Sequence, residues 1–540
     1  MTAESHPQRR RGWGRGPQLH HLLAYSFAPL FPLARRIPFR HTGKRGHKPQ
    51  DILLPQGYVA EVVATELNNP VHCTFDDAGA CYVFECGYKI DALPRILKID
   101  TKTGDCEPIF QMKEEQWNAT GAVTGGCWHE GSLYVANTNK IFRIAPDGAV
   151  QDVVTGLPWG DHQTNYPVIG PDGKLYFTNG TTTNTGVVGP DNWAYEWLRD
   201  FADLHDVPGQ DVTLVGRNFD AQDVVSGNLA KRVSTGAFLP FGTPSEPGQV
   251  IQGDVKCSGS VLRCNPDGSQ LELVAWGLRN PYGKAFSADG RLFVTNHDID
   301  ERGHRFIVGH TEDFYEVTDG AWFGWPDFAS GIRLDDPHWG RRGRGRDPLL
   351  AEHPDPNPPK PFATFEPHSA PNGFDFCRNP DFGFEGDAFV AMFGDLAPNT
   401  TRQATPVGFK VARVDMRTGE VHDFAVNKIV GEASSLPHEG FERPSHCAFG
   451  PDGALYIVDW GEWELAPERG GVRMQVGTGT LWRIRRTGGP RGETPPKPAV
   501  IPLRGLMIYL PGALALAGVG GAAAWRLRRR RRKSRWPILS

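Results

Sequence analysis

The chain has 540 residues, 39% of them apolar, with 64 Gly, 45 Pro, 15 Trp, 30 Phe and 12 Tyr. That is ample material for one large core, and so many Gly and Pro argue for many turns and against long helices. The net charge of −4 is unevenly spread: residues 1–50 carry ten Lys or Arg against one acid, residues 526–540 carry eight and none, and subtracting these +9 and +8 leaves −21 for residues 51–525. An acidic body with two basic ends lacks the basic folded face that nucleic-acid binding needs.

Residues 1–50 read as a basic N-terminal segment, a signal or first anchor, with "RRRGWGR" ahead of the short apolar run "LLAYSFAPLFPLA". From residue 51 a hairpin unit repeats. A turn opens each copy and an apolar or aromatic strand follows: "DDAGACYVFE" at 76, "HEGSLYVANT" at 129, "GPDGKLYFTNG" at 170, "SADGRLFVTNH" at 287, "EGDAFVAMFG" at 385 and "GPDGALYIVDWG" at 450. Pro presets φ, Gly accepts positive φ, and the next residues alternate as in a half-buried strand. Six such units without a long helix predict an all-β fold, a six-bladed β-propeller over 51–486. The early strand "YVAEVVATEL" is expected to pair with the last blade and close the ring. Large insertions, 181–250 and 299–370, are expected between blades.

Nine cysteines contain no CxxC pair, which excludes a zinc ribbon and covalently attached haem. Cys81 and Cys86 fall on opposite faces of a strand. Cys257 and Cys264 flank "SGSVLR" and are placed to bridge within a hairpin.

Two polar groups precede repeats three and four: Asp161-His162-Gln163 and Arg279-Asn280-Pro281. In a propeller, loops entering the central strands gather on one face, so the two groups should meet there. An imidazole titrates near neutral pH and serves as a base. A guanidinium binds carboxylates bidentately and stabilises developing negative charge.

Beyond a linker at 487–505, Leu506–Trp525 reads "LMIYLPGALALAGVGGAAAW", twenty residues without a charge. At about 1.5 Å per residue this spans roughly 30 Å, a bilayer's hydrocarbon thickness. The basic tail 526–540 follows at once. Cationic flanks stay cytoplasmic, so the expectation is a single-pass transmembrane helix in the cell membrane with the body on the extracytoplasmic side.

In "DHQ…VIGPDGKLYFTNG", "LRNPYGKAF…DGRLF", "DFYEV…GAWFGWP", "SAPNGFDF" and "RPSHCAFGPDGALYIVDWG" the chain resembles the soluble glucose dehydrogenase and sorbosone dehydrogenase family, six-bladed propellers that bind pyrroloquinoline quinone (PQQ). The resemblance runs over roughly 51–486. It implies a dehydrogenase for a sugar or related alcohol or aldehyde, with PQQ and calcium as cofactors and a membrane or soluble electron acceptor as partner. His162 then matches the general base and Asp161 an acid beside the cofactor. Arg279 and Asn280 match the pair that contacts the quinone, Arg443 a cofactor arginine, and Thr120 a cofactor glutamine. His297, Asp298 and Ile299 match the calcium loop, with the ligands expected from Asp298 and Ile299. The chain departs from the family at Thr181, where an Asp orients the base, and in "FGDLAPNTTRQ", which lacks a cofactor lysine. Those departures keep a non-catalytic binding propeller open as an alternative. A calcium-dependent lactonase ranks last, because the strand openings hold few acids.

Overall fold

The computed structural model describes residues 45–113, 122–194, 196–228, 230–339, 345–397, 401, 405–466 and 471–501. They form six four-stranded antiparallel blades around a ring, and the innermost strand of each blade neighbours the innermost strand of the next. Those six inner strands are Pro70–Phe75, Val123–His129, Thr164–Ile169, Asn280–Phe286, Pro371–Phe376 and Pro444–Phe449.

The turn motifs do what their residues dictate. Each joins an inner strand to the second strand of its blade, as Gly170–Lys174 does ahead of Leu175–Asn179. The second strands Cys81–Glu85, Leu175–Asn179, Ala388–Met392 and Leu455–Asp459 are buried throughout, not on alternate residues as expected. A second strand lies between two neighbouring blades, so both its faces pack. Blades five and six meet through Phe389, Phe424, Phe441 and Trp482, and blades four and five through Phe293, Phe314, Phe374 and Phe376.

Tyr58–Leu67 pairs with Gly479–Arg486 as the outermost strand of blade six, so the early strand closes the ring as expected. Just before it, Ile52–Leu53 adds a fifth strand to blade five. Every inner strand also slips register near its start, for example between Pro70 and His72, Pro281 and Lys284, Pro371 and Phe374, and Pro444 and His446. Proline cannot donate to a ladder and is tolerated at strand starts and bulges. This explains the prolines of "RNP", "SAP" and "ERP".

Strand direction decides which loops share a face. Loops that enter inner strands and loops that leave second strands lie on one face; the Asp-Gly turns lie on the other. The insertions depart from expectation here. Residues 181–250 join the second and third strands of blade three, and 299–370 lie largely within blade four, so both insertions sit inside blades. Beneath that face the channel is filled. The His72 ring lies 3.8 Å from His446 and 4.1 Å from Tyr166, centroid to centroid. Lys284 Nζ donates to the carbonyls of Tyr166 (2.7 Å) and Tyr282 (3.0 Å).

All nine cysteines are thiols. Cys257 and Cys264 belong to different core clusters, so the bridge that their spacing suggested does not form. Among the described residues no helix is long and apolar enough to cross a membrane. The candidate span 506–525, the basic tail and residues 1–44 lie outside the described residues.

Candidate active site

His162 lies on the loop entering blade three, against the loop that leaves that blade's second strand. Its backbone N–H donates to Thr181 O at 3.0 Å. Its Nδ1 lies 3.0 Å from the same carbonyl and 3.2 Å from Thr181 Oγ1. A carbonyl only accepts, so Nδ1 carries the proton and Nε2 the lone pair. The Thr181 hydroxyl donates to Thr183 O at 2.6 Å, which leaves Oγ1 as an acceptor toward the imidazole. Nε2 has no hydrogen-bond partner among the described residues. Burial, then the charges of Arg279, Arg302 and His297, hold the imidazole well below its ordinary pKa. Gly180 permits the close approach: a Cβ there would stand 2.3 Å from His162 Cβ and 2.9 Å from Asn280 Oδ1.

Arg279 enters from blade four and is buried. Its Nη2 donates to Asn184 Oδ1 (2.7 Å) and Asp300 Oδ2 (3.0 Å), and Nε donates to Asn184 Oδ1 (3.1 Å). Asp161 Oδ2 lies 3.8 Å from Nη2. Arg279 Nη1 has no hydrogen-bond partner among the described residues. A second guanidinium, Arg302, pairs with Asp161, with Asp191 at 2.8 Å and with Asp300 at 2.9 Å. Burial pushes Asp161 up in pKa against the pull of Arg302 and Arg279. For Asp300 burial also opposes ionisation, but the two arginines outweigh it and hold the carboxyl down.

Asn280 Nδ2 donates to His297 Nδ1 at 2.8 Å, and His297 Nε2 donates to Pro371 O at 3.1 Å. That relay fixes His297 as a neutral tautomer. Burial and Arg279 push it down to about 4.

Asp298 is buried, accepts from His368 N at 3.2 Å and lies 2.8 Å from His368 Nδ1. Its own N–H donates to Glu312 Oε2 at 2.8 Å. Burial opposes charge on His368, but Asp298, Glu301 and Asp300 override it and push the imidazole up to about 11. Asp298, Asp300 and His368 each bring a ligand atom within 4.8 Å of the others. The Ile299 side chain packs with Ile307, Ala329, Leu334 and Trp339, and its N–H donates to His310 Nδ1 at 2.9 Å, so only its carbonyl is chemically a metal donor.

The structure therefore brings together His162, Asp161, Arg279, Asn280 and Asp298. It does not bring Arg443 to them. Arg443 is fully buried, donates to the carbonyls of Gly394 (3.3 Å) and Asp395 (3.0 Å), and lies against the rings of Phe393, Phe409 and Trp463 in the wall between blades five and six. Thr120 lies outside the described residues.

Sequence reasoning passed over Asn184, Arg302 and His368. A signal for His368 existed. It stands three residues before the first residue of its inner strand, Pro371, the same position in the repeat that Asp161 holds before Thr164. Asn184 and Arg302 sit in the insertions, where no repeat marks them.

No protein-family model matches the chain. It is 22% identical over 304 residues to quinoprotein glucose dehydrogenase B of Acinetobacter calcoaceticus, a match over 51% of this chain and 53% of that protein. The chain thus spans about half the length of that curated relative. In fold it is similar to the holo form of the pyranose dehydrogenase PQQ domain from Coprinopsis cinerea (TM-score 0.50, 15% identity, 82% of this chain and 98% of that one). It is likewise similar to the calcium structure of a Trichoderma reesei carbohydrate-active enzyme of family AA12 (TM-score 0.50, 14% identity, 82% and 99%). The relatives lie on the six-bladed scaffold that carries His162 and Arg279 here, and the chain resembles the quinoprotein sugar dehydrogenases in sequence as well as in fold.

Proposed function

We propose that this chain is a PQQ-dependent dehydrogenase that oxidises a sugar or a related alcohol or aldehyde. One observation carries the reading. Among the described residues the His162 Nε2 lone pair and the Arg279 Nη1 donor have no hydrogen-bond partner, both stand on the loop face of the ring, and the residue beside His162, Asp161, lies 3.8 Å from Arg279 Nη2.

The donor set fits the cofactor. Arg279 Nη1 and the amide of Asn280 suit a quinone that bears carboxylates, and Asp298 and Asp300 offer the hard oxygens that calcium prefers. When bound, the quinone accepts the hydride that leaves the alcohol carbon. The protein supplies the rest. His162 takes the hydroxyl proton at Nε2 while Nδ1–H stays on the Thr181 carbonyl. An amide dipole thus does the orienting that a carboxylate would do, and the base stays neutral and ready. Asn184 and Asp300 hold the Arg279 guanidinium in place. Titration of PQQ with calcium into the purified chain, followed by dye reduction across a sugar panel, tests the reading. Saturable quinone binding with turnover supports it, and no quinone binding ends it.

A binding propeller without chemistry is the second reading. It is favoured by the blade-three insertion reaching blade one, where Glu196 pairs with Lys89 at 2.5 Å. We also propose that residues 506–525 anchor the chain in the cell membrane, with the propeller outside and electrons passed to a membrane or soluble acceptor. A chain ending at residue 505 should then leave the membrane fraction that retains the full chain.

A further inference from the structure

The segment 181–184 joins the base to the guanidinium. Thr181 O takes the Nδ1–H of His162 at 3.0 Å, and Thr181 N–H donates to Arg279 O at 2.8 Å. Thr182 O accepts the N–H of Asp161 at 2.9 Å, and Asn184 Oδ1 accepts from Arg279 Nη2 at 2.7 Å. These residues therefore set His162 and Arg279 relative to each other. They are fully buried, yet they belong to no helix or strand, so no ladder fixes them.

What holds the middle of the segment is a carboxylate. Asp206 Oδ1 accepts from Thr182 N–H at 2.6 Å, and Oδ2 accepts from the Thr183 hydroxyl at 2.5 Å. The Thr183 carbonyl in turn accepts the Thr181 hydroxyl at 2.6 Å. Asp206 is 1% exposed, and no guanidinium or ammonium pairs with it among the described residues. Burial pushes its pKa up to about 6, against the pull of Thr183, Thr182, Ser258 and the neighbouring His205. A buried carboxylate without a cation is costly, and here hydrogen bonds to one segment offset that cost. The backbone behind it is anchored. Val207 N–H donates to Ser258 Oγ at 3.1 Å, Ser258 N–H donates to Val207 O at 2.9 Å, and Ser258 leads into the blade-three strand Ser260–Cys264.

We propose that Asp206 is a positioning residue for the site: it clamps Thr182 and Thr183 so that Thr181 presents its carbonyl to His162 and Asn184 its amide oxygen to Arg279. The inference rests on the reading of His162 as the base and deepens it. The imidazole has no carboxylate of its own at Nδ1, where both contacts come from Thr181. Asp206 supplies the orientation from the insertion, by way of the backbone. It supplies geometry, not charge. The neutral acid can accept from Thr182 N–H and donate its O–H to Thr183 Oγ1, and the amide of an Asn can do the same with its oxygen and nitrogen. An apolar side chain can do neither and leaves two buried donors unpaired.

The imidazole is read in the full chain without quinone, by nitrogen nuclear magnetic resonance on isotope-labelled histidine. The His162 signals are identified by their loss in His162→Gln. The parent chain should show one tautomer, with Nδ1 protonated and Nε2 bare. Asp206→Leu should let the two nitrogens share the proton, so that their signals move toward each other, and Asp206→Asn should keep the parent pattern. In dye reduction, D206L should lower kcat by about 10²-fold with KM little changed, and D206N should retain most of the turnover. A parent tautomer that persists in D206L overturns the proposal, as does a D206N chain that behaves like D206L. Should D206L fail to fold, Thr183→Val removes the hydroxyl that Oδ2 holds, and unaltered His162 signals in that variant overturn the proposal instead. If no quinone binds while the tautomer follows Asp206, the enzyme reading falls and the positioning role stands. If quinone binds and the tautomer ignores Asp206, the positioning role alone is overturned.

Discussion

His162 is made a base by what its other nitrogen touches. Thr181 takes Nδ1–H through its carbonyl, so Nε2 is left with the lone pair. Replacement by Gln keeps much of the volume and removes the base. H162Q should lower kcat by about 10²–10⁴-fold, measured by dye reduction, with quinone binding retained. Gly180→Ala places a methyl 2.3 Å from His162 Cβ and must displace the imidazole. It should cost turnover and also about 1–3 kcal/mol of stability, read by denaturant unfolding, because the clash is with an atom anchored to the backbone. The lowered pKa of His162 sets a pH prediction with a definite sign. The neutral form is the active one, so kcat/KM should stay level as pH falls through 6.5 and drop only well below it. A decline centred near 6.5 would mean that neither burial nor the neighbouring arginines act on the base. The pairing of His162 with Arg279 was legible from the chain because each precedes an inner strand. The part played by Thr181 was visible only as the loss of an aspartate; that its carbonyl takes over the orienting contact required coordinates.

Blades obey local rules, and the ring obeys one long-range pairing. The Asp-Gly turns and the strands after them are encoded within about ten residues, which is why the repeat is readable. The closing strand is readable for a different reason: Tyr58–Leu67 is a strand with no hairpin partner nearby, so it must pair at a distance. Trp482 locks that closure, fully buried against Phe441 at a ring separation of 5.8 Å. Trp482→Ala should destabilise the fold by about 3–5 kcal/mol, read by denaturant unfolding. The insertions were assigned between blades because loop sequences do not record which strands they join. Placed within blades three and four, they bring Asn184, Asp191 and Arg302 to the face of the site.

Across the whole molecule, several histidines are buried in neutral form. Burial, with Lys284 adding to it, pushes His446 down to about 3; burial, then Arg279, pushes His297 down to about 4; burial pushes His438 down to about 4. A histidine whose folded pKa is depressed gives up stability as pH falls below its unfolded value near 6.5 and stops doing so below its folded value. His368, raised to about 11, has the opposite sign and contributes its stability on the acid side. His47, His72, His162 and His304 are depressed as well, and His368 stays charged below pH 6.5. The histidines together therefore lower the unfolding midpoint between about pH 6.5 and pH 4, against the raised Glu442 (about 7) and Asp206 (about 6), whose protonation works the other way. A midpoint that does not move across that range would show that these rings are hydrated in solution. The filled channel adds a second consequence at this scale. His72, Tyr166, Lys284 and His446 close the passage beneath the site, so substrate enters from the loop face alone.

The amino-acid sequence by itself determined the blade count, the turns, the strand that closes the ring and the loops on which a base and a guanidinium stand. All of these follow from short-range pattern and from strand direction. Tertiary structure alone decided which of the polar residues meet. Arg443 precedes its inner strand just as Arg279 does, yet one guanidinium is enclosed by Phe393, Phe409 and Trp463 while the other binds Asp300 through Nη2 and leaves Nη1 without a partner among the described residues. The difference lies in what surrounds each of them, three aromatic rings with the buried carboxylate of Glu432 at 4.0 Å in one case and Asn184, Asp161 and Asp300 in the other, and a repeat read along one dimension carries no record of neighbours.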